Sequence, residues 1–147
     1  IGKIVQGTAR DGLAIKNKFF QALPKFKRLM DNVQGASRRR GYLYGLDGRK
    51  IWCNKPHKAL NYLLQGAEAV YMKYAQAFLD KAIRKENLDA HFVATVHDEF
   101  QLEVHNEHIQ RVSELCLWAF EHTGKFLNIS VPMEGEVAVG KSWAETH

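Results

Sequence analysis

The sequence has little of what marks a secreted or membrane-bound protein. It contains two cysteines, Cys53 and Cys116, which lie far apart and lack the paired spacing of a zinc site or a redox motif. No apolar run approaches the roughly 18 residues that span a bilayer, and no stretch resembles a signal peptide. These absences exclude a disulfide scaffold and a membrane span. They predict free thiols in a soluble, intracellular protein.

The chain also lacks the size and the segmentation of a complete multidomain enzyme. Its 147 residues suffice for one domain or for part of one. No internal repeat, low-complexity segment or linker interrupts them. Because Ile1 is not a methionine, we expect that the chain was processed, excised or truncated at its start.

Charge is divided unevenly along the sequence. Up to Lys58 there are fourteen Lys and Arg residues against three acids, a net charge of +11, whereas the remainder has seven against thirteen, a net charge of −6. A basic surface is commonly no more than a solvated face, but this density favours a polyanion such as nucleic acid as a partner. The acidic half suits cations.

The middle of the chain predicts a β-hairpin with acids at its tip. An apolar, β-branched run over 92–96 is followed by alternating apolar and polar residues over 100–104. Between them lie His97, Asp98 and Glu99. Adjacent carboxylates repel each other, and partial burial makes the ionised pair costlier unless a cation neutralises it.

Oxygen ligands of this kind suit Mg²⁺ or Mn²⁺, which bind substrate phosphates through one or two carboxylates. One alternative is a turn whose acids are simply solvated, because Asp is an ordinary turn residue. A zinc site is another, since five of the seven histidines fall near the hairpin and the next helix. These five are His91, His97, His105, His108 and His122.

The basic half predicts two helices and a hairpin. Thr8 and Asp11 resemble a capping box, Pro24 should kink or restart the helix, and the second segment continues to Gly35. A hairpin over 42–52 is predicted from its Asp-Gly pair, which suits a type I′ turn. The arginines before it predict a phosphate-facing loop, a targeting signal or solvated charge. The basic residues of this region are Arg38, Arg39, Arg40, Arg49 and Lys50.

The longest predicted helix runs from residue 56 to about residue 86. Its apolar stripe is Leu60, Leu63, Leu64, Ala67, Tyr71, Tyr74, Ala75, Phe78 and Ala82. On another side, His57, Asn61 and Gln65 form a polar line at four-residue steps. Such a line is commonly solvated. Alternatively, its amides reach the DNA minor groove, where every base pair shows an acceptor, as copying a template requires.

The last third of the chain predicts a helix and two strands. Asn106 should cap a helix that ends at Gly124 and covers the sheet of the acidic hairpin. Two further strands are predicted over 126–131 and 133–139, separated by Pro132. The second of them alternates apolar residues with Glu134 and Glu136.

Several motifs together resemble the family A DNA polymerases. Residues 96–99 (VHDE) are similar to their C motif, and residues 61–65 (NYLLQ) are similar to their Asn-x-x-x-Gln helix. Residues 45–50 (GLDGRK), 56–61 (PHKALN) and 143–147 (WAETH) are similar in particular to the replicative polymerases of T-seven-like phages. The resemblance covers essentially the whole chain in collinear order.

The resemblance implies an α+β fold that is part of a right-hand polymerase. Residues 1–40 would be C-terminal fingers helices, and residues 41–147 would be the palm, whose antiparallel sheet carries the acidic hairpin at about 92–104. The family's other catalytic aspartate, its nucleotide-gripping fingers helix and its thumb would lie outside this chain.

The same resemblance implies roles for individual residues. Asp98 would coordinate the catalytic metals with Glu99 assisting, and His97 would contact the primer terminus. Asn61 and Gln65 would line the minor groove near the nascent base pair. Two further DNA- or nucleotide-binding positions are His57, where bacterial relatives carry an arginine, and the terminal His147.

The sequence therefore predicts the C-terminal half of a DNA-directed DNA polymerase active site, which adds deoxynucleotides from dNTPs to primer–template DNA with Mg²⁺ or Mn²⁺. Two-metal catalysis needs ligands that hold two ions about 3.5 to 4 Å apart, so we expect a second polypeptide to supply the missing ligands. The expected location is the cytoplasm of a phage-infected bacterium. Sequence-independent DNA contact would come from the five basic residues above together with Lys16 and Lys18.

Two other functions compete with this prediction. A non-catalytic DNA-binding or assembly fragment would not need the clustered acids Asp98 and Glu99 near DNA phosphates. A single-subunit RNA polymerase also carries a His-Asp turn in its palm. The helix with Asn61 and Gln65, and Glu99 beside the aspartate, fit the DNA enzymes better.

Overall fold

A computed structural model describes residues 7–146, and its contacts divide the chain into two units, one up to Leu64 and one from Gln65. Two antiparallel two-stranded sheets form among the helices, each from two strands that follow one another in the chain, which confirms the predicted α+β class. None of the helices within 7–146 is long and apolar enough to cross a bilayer. The elements are α1 (Ala9–Ala22), α2 (Pro24–Arg40), β1 (Tyr42–Tyr44), β2 (Lys50–Trp52), α3 (Ala59–Lys85), β3 (Ala90–Val96), β4 (Glu99–Val104) and α4 (Ile109–Phe126).

The start of α1 is the predicted capping box. The Thr8 side chain accepts a hydrogen bond from the Asp11 amide at 3.3 Å, and the Asp11 carboxylate accepts one from the Thr8 amide at 2.8 Å. The helix breaks at Leu23, and α2 begins at Pro24. Proline fits this first position because the missing N–H would have had no partner within the helix.

The predicted end of α2 at Gly35 is wrong. The helix continues to Arg40 and stops at Gly41, whose φ of 73° is left-handed and whose amide donates to the Ser37 carbonyl at 2.8 Å. The three consecutive arginines therefore occupy the last helical turn and not a loop. Cations are favoured there because the helix dipole is negative at its C-terminus.

Gly41→Ala should destabilise the chain by about 1–2 kcal/mol, because an L-residue is disfavoured at positive φ. No atom lies within 4 Å of the added Cβ, so backbone strain is the whole cost. Gly35→Ala is the matched control, and in the helix interior it should stabilise by about 0.5–1 kcal/mol. Urea denaturation of both variants measures the difference. Equal midpoints would contradict the left-handed cap.

The hairpin over 42–52 forms as predicted, but its turn is not type I′. Of the described non-glycine residues, only Asn87, His97 and Asn128 have positive φ, so Asp47 lacks the conformation that type I′ requires. Instead, the Gly48 amide donates to the Gly45 carbonyl at 3.0 Å, and Gly48 is the only residue of this turn that has a positive φ. The longer loop is closed by Asp47, which accepts hydrogen bonds from Arg49.

A small core anchors this hairpin within the first unit. Its buried residues are Val33, Ala36, Leu43, Cys53 and Ala59. The buried Ser37 hydroxyl donates to the Cys53 carbonyl at 2.8 Å, which ties the end of α2 to the strand that follows the turn. Both cysteines are free thiols, as expected, and burial raises the pKa of the Cys116 thiol to about 11.

The long helix forms as predicted, after a short 3₁₀ turn at Pro56–Lys58. Its buried face differs from the predicted stripe. Tyr71 and Ala75 are buried as expected, but Leu64 is 58% exposed. The residues of α3 that the prediction omitted and the structure buries are Ala59, Val70, Met72, Leu79 and Ile83.

The second core lies between α3, α4 and the β3–β4 hairpin. Its buried residues are Leu79, Ile83, Ala90, Val112, Leu115 and Ala119. Phe92 and Phe100 pack against this cluster from the hairpin, with their ring centroids 5.7 Å apart in an edge-to-face arrangement. The hairpin is thus attached to both helices by side chains from its own strands.

The predicted boundaries of α4 need correction at both ends. Asn106 does not cap the helix, since it begins a 3₁₀ turn, Asn106–His108, and α4 starts at Ile109 without a side-chain cap. His108 is used differently, and its Nδ1 accepts a hydrogen bond from the Asp89 amide at 2.8 Å. At the other end the helix passes the buried Gly124 and continues to Phe126.

The two strands predicted after α4 are absent from the described structure. Phe126 belongs to the helix, and within 7–146 the residues from 127 onward join no sheet. The segment instead lies along α4. A Cβ on Gly124 would meet the Met133 side chain at 3.1 Å, and one on Gly135 would lie 3.6 Å from the Phe120 ring.

Candidate functional site

The acidic hairpin places the predicted site residues at its tip. Val96 pairs with Glu99, so His97 and Asp98 form a two-residue connection between β3 and β4. His97 has a φ of 54°, a conformation that few non-glycine residues adopt. The register thus fixes Asp98 at the turn and Glu99 as the first residue of β4, and brings the three predicted residues together.

The two carboxylates differ in their surroundings. Asp98 is exposed, whereas Glu99 is half-buried and accepts a hydrogen bond from the Gln101 side-chain amide. Gln101 lies two residues along the same strand and therefore shares a face with Glu99. The tip offers one open carboxylate beside one that a neighbouring amide holds in place.

This donor set suits a hard divalent cation that keeps most of its ligands as water or phosphate. Asp98 and Glu99 supply carboxylate oxygens only. Within the described residues, no three His, Cys, Asp or Glu side chains come together as a metal cluster, so the structure lends no support to the zinc alternative. Two-metal chemistry at this tip requires further ligands from elsewhere.

The predicted minor-groove residues lie on exposed positions. Asn61 and Gln65 are one turn apart on α3, and His57 lies in the 3₁₀ turn before it. Asn61 and His57 belong to the first unit, while Gln65 and the acidic hairpin belong to the second. His147 lies outside the described residues.

The predicted basic residues are all exposed. Arg38 donates to the Gln34 side chain at 3.2 Å, and Arg49 bonds to Asp47. Lys16 lies 5.8 Å from the Phe20 ring centroid on α1. The others are Lys18, Arg39, Arg40 and Lys50.

The sequence interpretation missed an aromatic surface on the first hairpin. Tyr44 and Trp52 are exposed to 50% and 73%. Tyr44 pairs with Lys50 across the sheet, and Trp52 lies two residues after Lys50 on the same strand. The signal was available, because alternation in the two strands places Leu43 and Ile51 on one face and the aromatic residues on the other.

The chain is similar to known DNA polymerases over almost its whole length. Residues 3–145 match the model of DNA polymerase family A. The chain is 36% identical over 154 aligned residues to a DNA-directed DNA polymerase of Escherichia phage Phieco32, covering 100% of this chain and 25% of that protein. It is 31% identical to the DNA-directed DNA polymerase of Escherichia phage T7, covering 100% of this chain and 24% of that one.

The fold has a close match among solved structures. The polymerase domain of Pol1 from M. smegmatis, described as a complex with DNA primer-template and dNTP, superimposes with a TM-score of 0.86 and 23% identity, covering 99% of this chain and 27% of that one. The chain thus spans about a quarter of the length of these relatives. The predicted resemblance is confirmed, and the chain belongs to family A of the DNA polymerases.

Proposed function

We propose that this chain supplies the C-terminal half of the active site of a DNA-directed DNA polymerase. The observation that carries the proposal is the exposed Asp98 at the turn of a hairpin in a chain whose residues 3–145 match family A. The substrates are primer–template DNA and dNTPs. The primer 3′-hydroxyl oxygen forms a bond to the α-phosphorus of the dNTP, the bond from that phosphorus to the β-phosphate oxygen breaks, and pyrophosphate leaves. Residues 1–40 act as fingers helices and 41–147 as the palm.

The residues at the tip of the acidic hairpin have different roles at the reacting end of the primer. Asp98, assisted by Glu99, holds Mg²⁺ or Mn²⁺, which supplies charge stabilisation to the transferring phosphoryl group. His97 contacts the primer terminus. The positive φ at His97 is consistent with a turn under functional constraint, because strained conformations cluster at active sites.

The other predicted residues hold the DNA. Asn61 and Gln65 present their amides to minor-groove acceptors, which all base pairs share, so they respond to pair geometry without reading sequence. His57 and His147 extend this set of contacts. Phosphate contacts from the exposed basic residues supply affinity that falls with salt.

The remaining metal ligands come from outside these 147 residues, and we propose that a second polypeptide carries them. Two carboxylates, one of them engaged by Gln101, do not fill the coordination of two ions. That polypeptide carries the other catalytic aspartate, the nucleotide-gripping fingers helix and the thumb. The assembled enzyme works in the cytoplasm of a phage-infected bacterium.

Primer extension by the purified chain, alone and mixed with the polypeptide that co-purifies with it, tests this proposal. We expect Mg²⁺-dependent extension in the mixture and none from either component. Extension by the chain alone would disprove the shared site. Duplex binding without extension in any mixture would favour a non-catalytic DNA-binding fragment.

Gln65→Ala should raise the ratio of mismatched to matched primer extension by about tenfold, because it removes a contact that a correctly formed pair makes, while the affinity for matched primer–template changes by less than about twofold. A tenfold change in this ratio corresponds to about 1.4 kcal/mol of lost discrimination. Single-nucleotide extension of matched and mismatched primers by the mixture measures the ratio. Gln76→Ala, on the same helix, is the control, and an unchanged mismatch ratio in Gln65→Ala would contradict the minor-groove role.

A further inference from the structure

The β1–β2 hairpin has two chemically different faces. Leu43 and Ile51 point toward the core of the first unit. The opposite face presents Tyr42 and Tyr44 from β1 and their strand partners Trp52 and Lys50 from β2. We call these four residues the outer face of the hairpin.

The outer face exposes flat aromatic surface. Trp52 is 73% exposed and Tyr44 is 50% exposed, although exposed aromatic area is unfavourable in water. The Tyr42 ring meets Trp52 edge-on, with centroids 5.6 Å apart, and also meets Tyr44 edge-on at 5.4 Å. These contacts brace the rings against one another and leave much of the Trp52 and Tyr44 surface open to a ligand.

Cations border the same rings. The Lys50 ammonium lies 4.7 Å from the centre of the Tyr42 ring. The Arg40 guanidinium, from the last turn of α2, lies 5.7 Å from Tyr42 and 5.6 Å from Tyr44. All three distances fall within the range of cation–π attraction, so each positive group is held beside a stacking surface.

The surrounding charge favours an anionic ligand. The part of the sequence up to Lys58 contains three acids, and each is engaged locally. Asp11 belongs to the capping box, Asp31 pairs with Lys27, and Asp47 pairs with Arg49. Within 7–58, none of these carboxylates therefore pairs with Arg40 or Lys50.

We propose that the outer face binds single-stranded DNA, with bases stacked on Trp52 and Tyr44 and phosphates contacted by Arg40 and Lys50. Aromatic side chains beside cations are how proteins bind unpaired strands without reading sequence. Duplex DNA does not fit this surface, because its bases are already stacked on one another. This binding deepens the proposed polymerase function. It rests on that function only for the identity of the strand, which would be the unpaired part of the template.

Binding of a fluorescein-labelled oligothymidylate to the full chain, followed by anisotropy, tests the proposal, with a blunt duplex of equal length as the reference. Trp52→Ala should weaken oligothymidylate binding by roughly tenfold or more, the usual effect of removing one stacked base contact, and duplex binding by less than about twofold. Trp52→Phe should retain most of the affinity, because a ring remains. Trp118→Ala, another exposed tryptophan, is the matched control and should bind as the unchanged chain does.

Intrinsic fluorescence supplies an independent measurement. The chain has three tryptophans, so quenching by oligothymidylate should disappear in Trp52→Phe and persist in Trp118→Phe. Circular dichroism should show that each variant is folded, because the Trp52 and Trp118 side chains are exposed. Quenching that persists in Trp52→Phe would overturn the proposal.

The anisotropy outcomes separate this proposal from the proposed function. Unchanged oligothymidylate affinity in Trp52→Ala, or an equal loss on duplex and single strand, would overturn the stacking role whatever the extension assay shows. Absence of oligothymidylate binding by the unchanged chain would do the same, and would point to a protein surface as the partner of this face. Loss of binding in Trp52→Ala supports the stacking role even if no mixture extends a primer.

Discussion

Asp98→Asn is expected to lower primer extension by the mixture of the two polypeptides about 10³-fold, while the affinity for primer–template DNA changes by less than about twofold. The factor corresponds to about 4 kcal/mol of lost transition-state stabilisation, the several kcal/mol that a bound metal supplies. Asparagine keeps the size of the side chain and removes its negative charge. The substitution should not disturb folding, because Asp98 is exposed in the two-residue connection.

The assay compares single-turnover extension rates at saturating Mg²⁺ with binding measured by anisotropy on the same DNA. Glu103→Gln is the matched control, since Glu103 is an exposed acid of the same hairpin that lies away from its turn. It should extend at nearly the unchanged rate. Extension by Asp98→Asn within a factor of a few of the unchanged mixture would exclude Asp98 as a metal ligand.

The acidic hairpin could be predicted because its determinants are local. A β-branched run, a short polar turn and an alternating second strand specify both the pairing and its register within fifteen residues. The bulge between Phe92 and Ala94 and the positive φ of His97 could not be predicted. The bulge inserts an extra residue into β3, and the positive φ accompanies a connection of two residues, whereas the sequence placed His97, Asp98 and Glu99 together between the strands.

The C-terminal strands show where local patterns fail. Residues 133–139 alternate as a half-buried strand does, but alternation describes a strand only when a partner strand is available for its hydrogen bonds. In the described structure Met133 packs beside Gly124, and the segment follows α4. The glycine that was taken for a helix end serves as the point of close approach.

Some residues of the candidate surfaces were singled out from the sequence and others were not. Asp98 was singled out by the adjacent acids at a hairpin tip, and Asn61 and Gln65 by their four-residue spacing, while the resemblance to a known family supplied their roles. Trp52 and Tyr44 were not, although their alternation was visible, since nothing in the sequence shows that the two strands present them to solvent on one face. Exposure is a property of the packed hairpin, set by Leu43 on its other side.

On the long helix α3, experiment can distinguish the apolar stripe predicted from the sequence from the face that the structure buries. The predicted apolar stripe of α3 includes Leu64 and omits Leu79, whereas in the structure Leu64 is 58% exposed and Leu79 is completely buried. The steps from Met72 through Ala75 and Leu79 to Ile83 also have helical spacing. Two apolar lines therefore compete on one helix, and contacts with α4 and the second hairpin select between them.

Leu79→Ala should lower the free energy of unfolding by about 3 kcal/mol, within the range for a leucine truncated in a rigid core. Leu64→Ala removes the same atoms from an exposed position of the same helix and should cost about 0.5 kcal/mol or less. Urea denaturation followed by circular dichroism gives both values. A larger loss of stability in Leu64→Ala than in Leu79→Ala would favour the apolar stripe predicted from the sequence over the buried face seen in the structure. Because Leu79 packs in the cluster that holds Phe92 and Phe100, its loss should also weaken Mg²⁺-dependent extension by loosening the hairpin that carries Asp98.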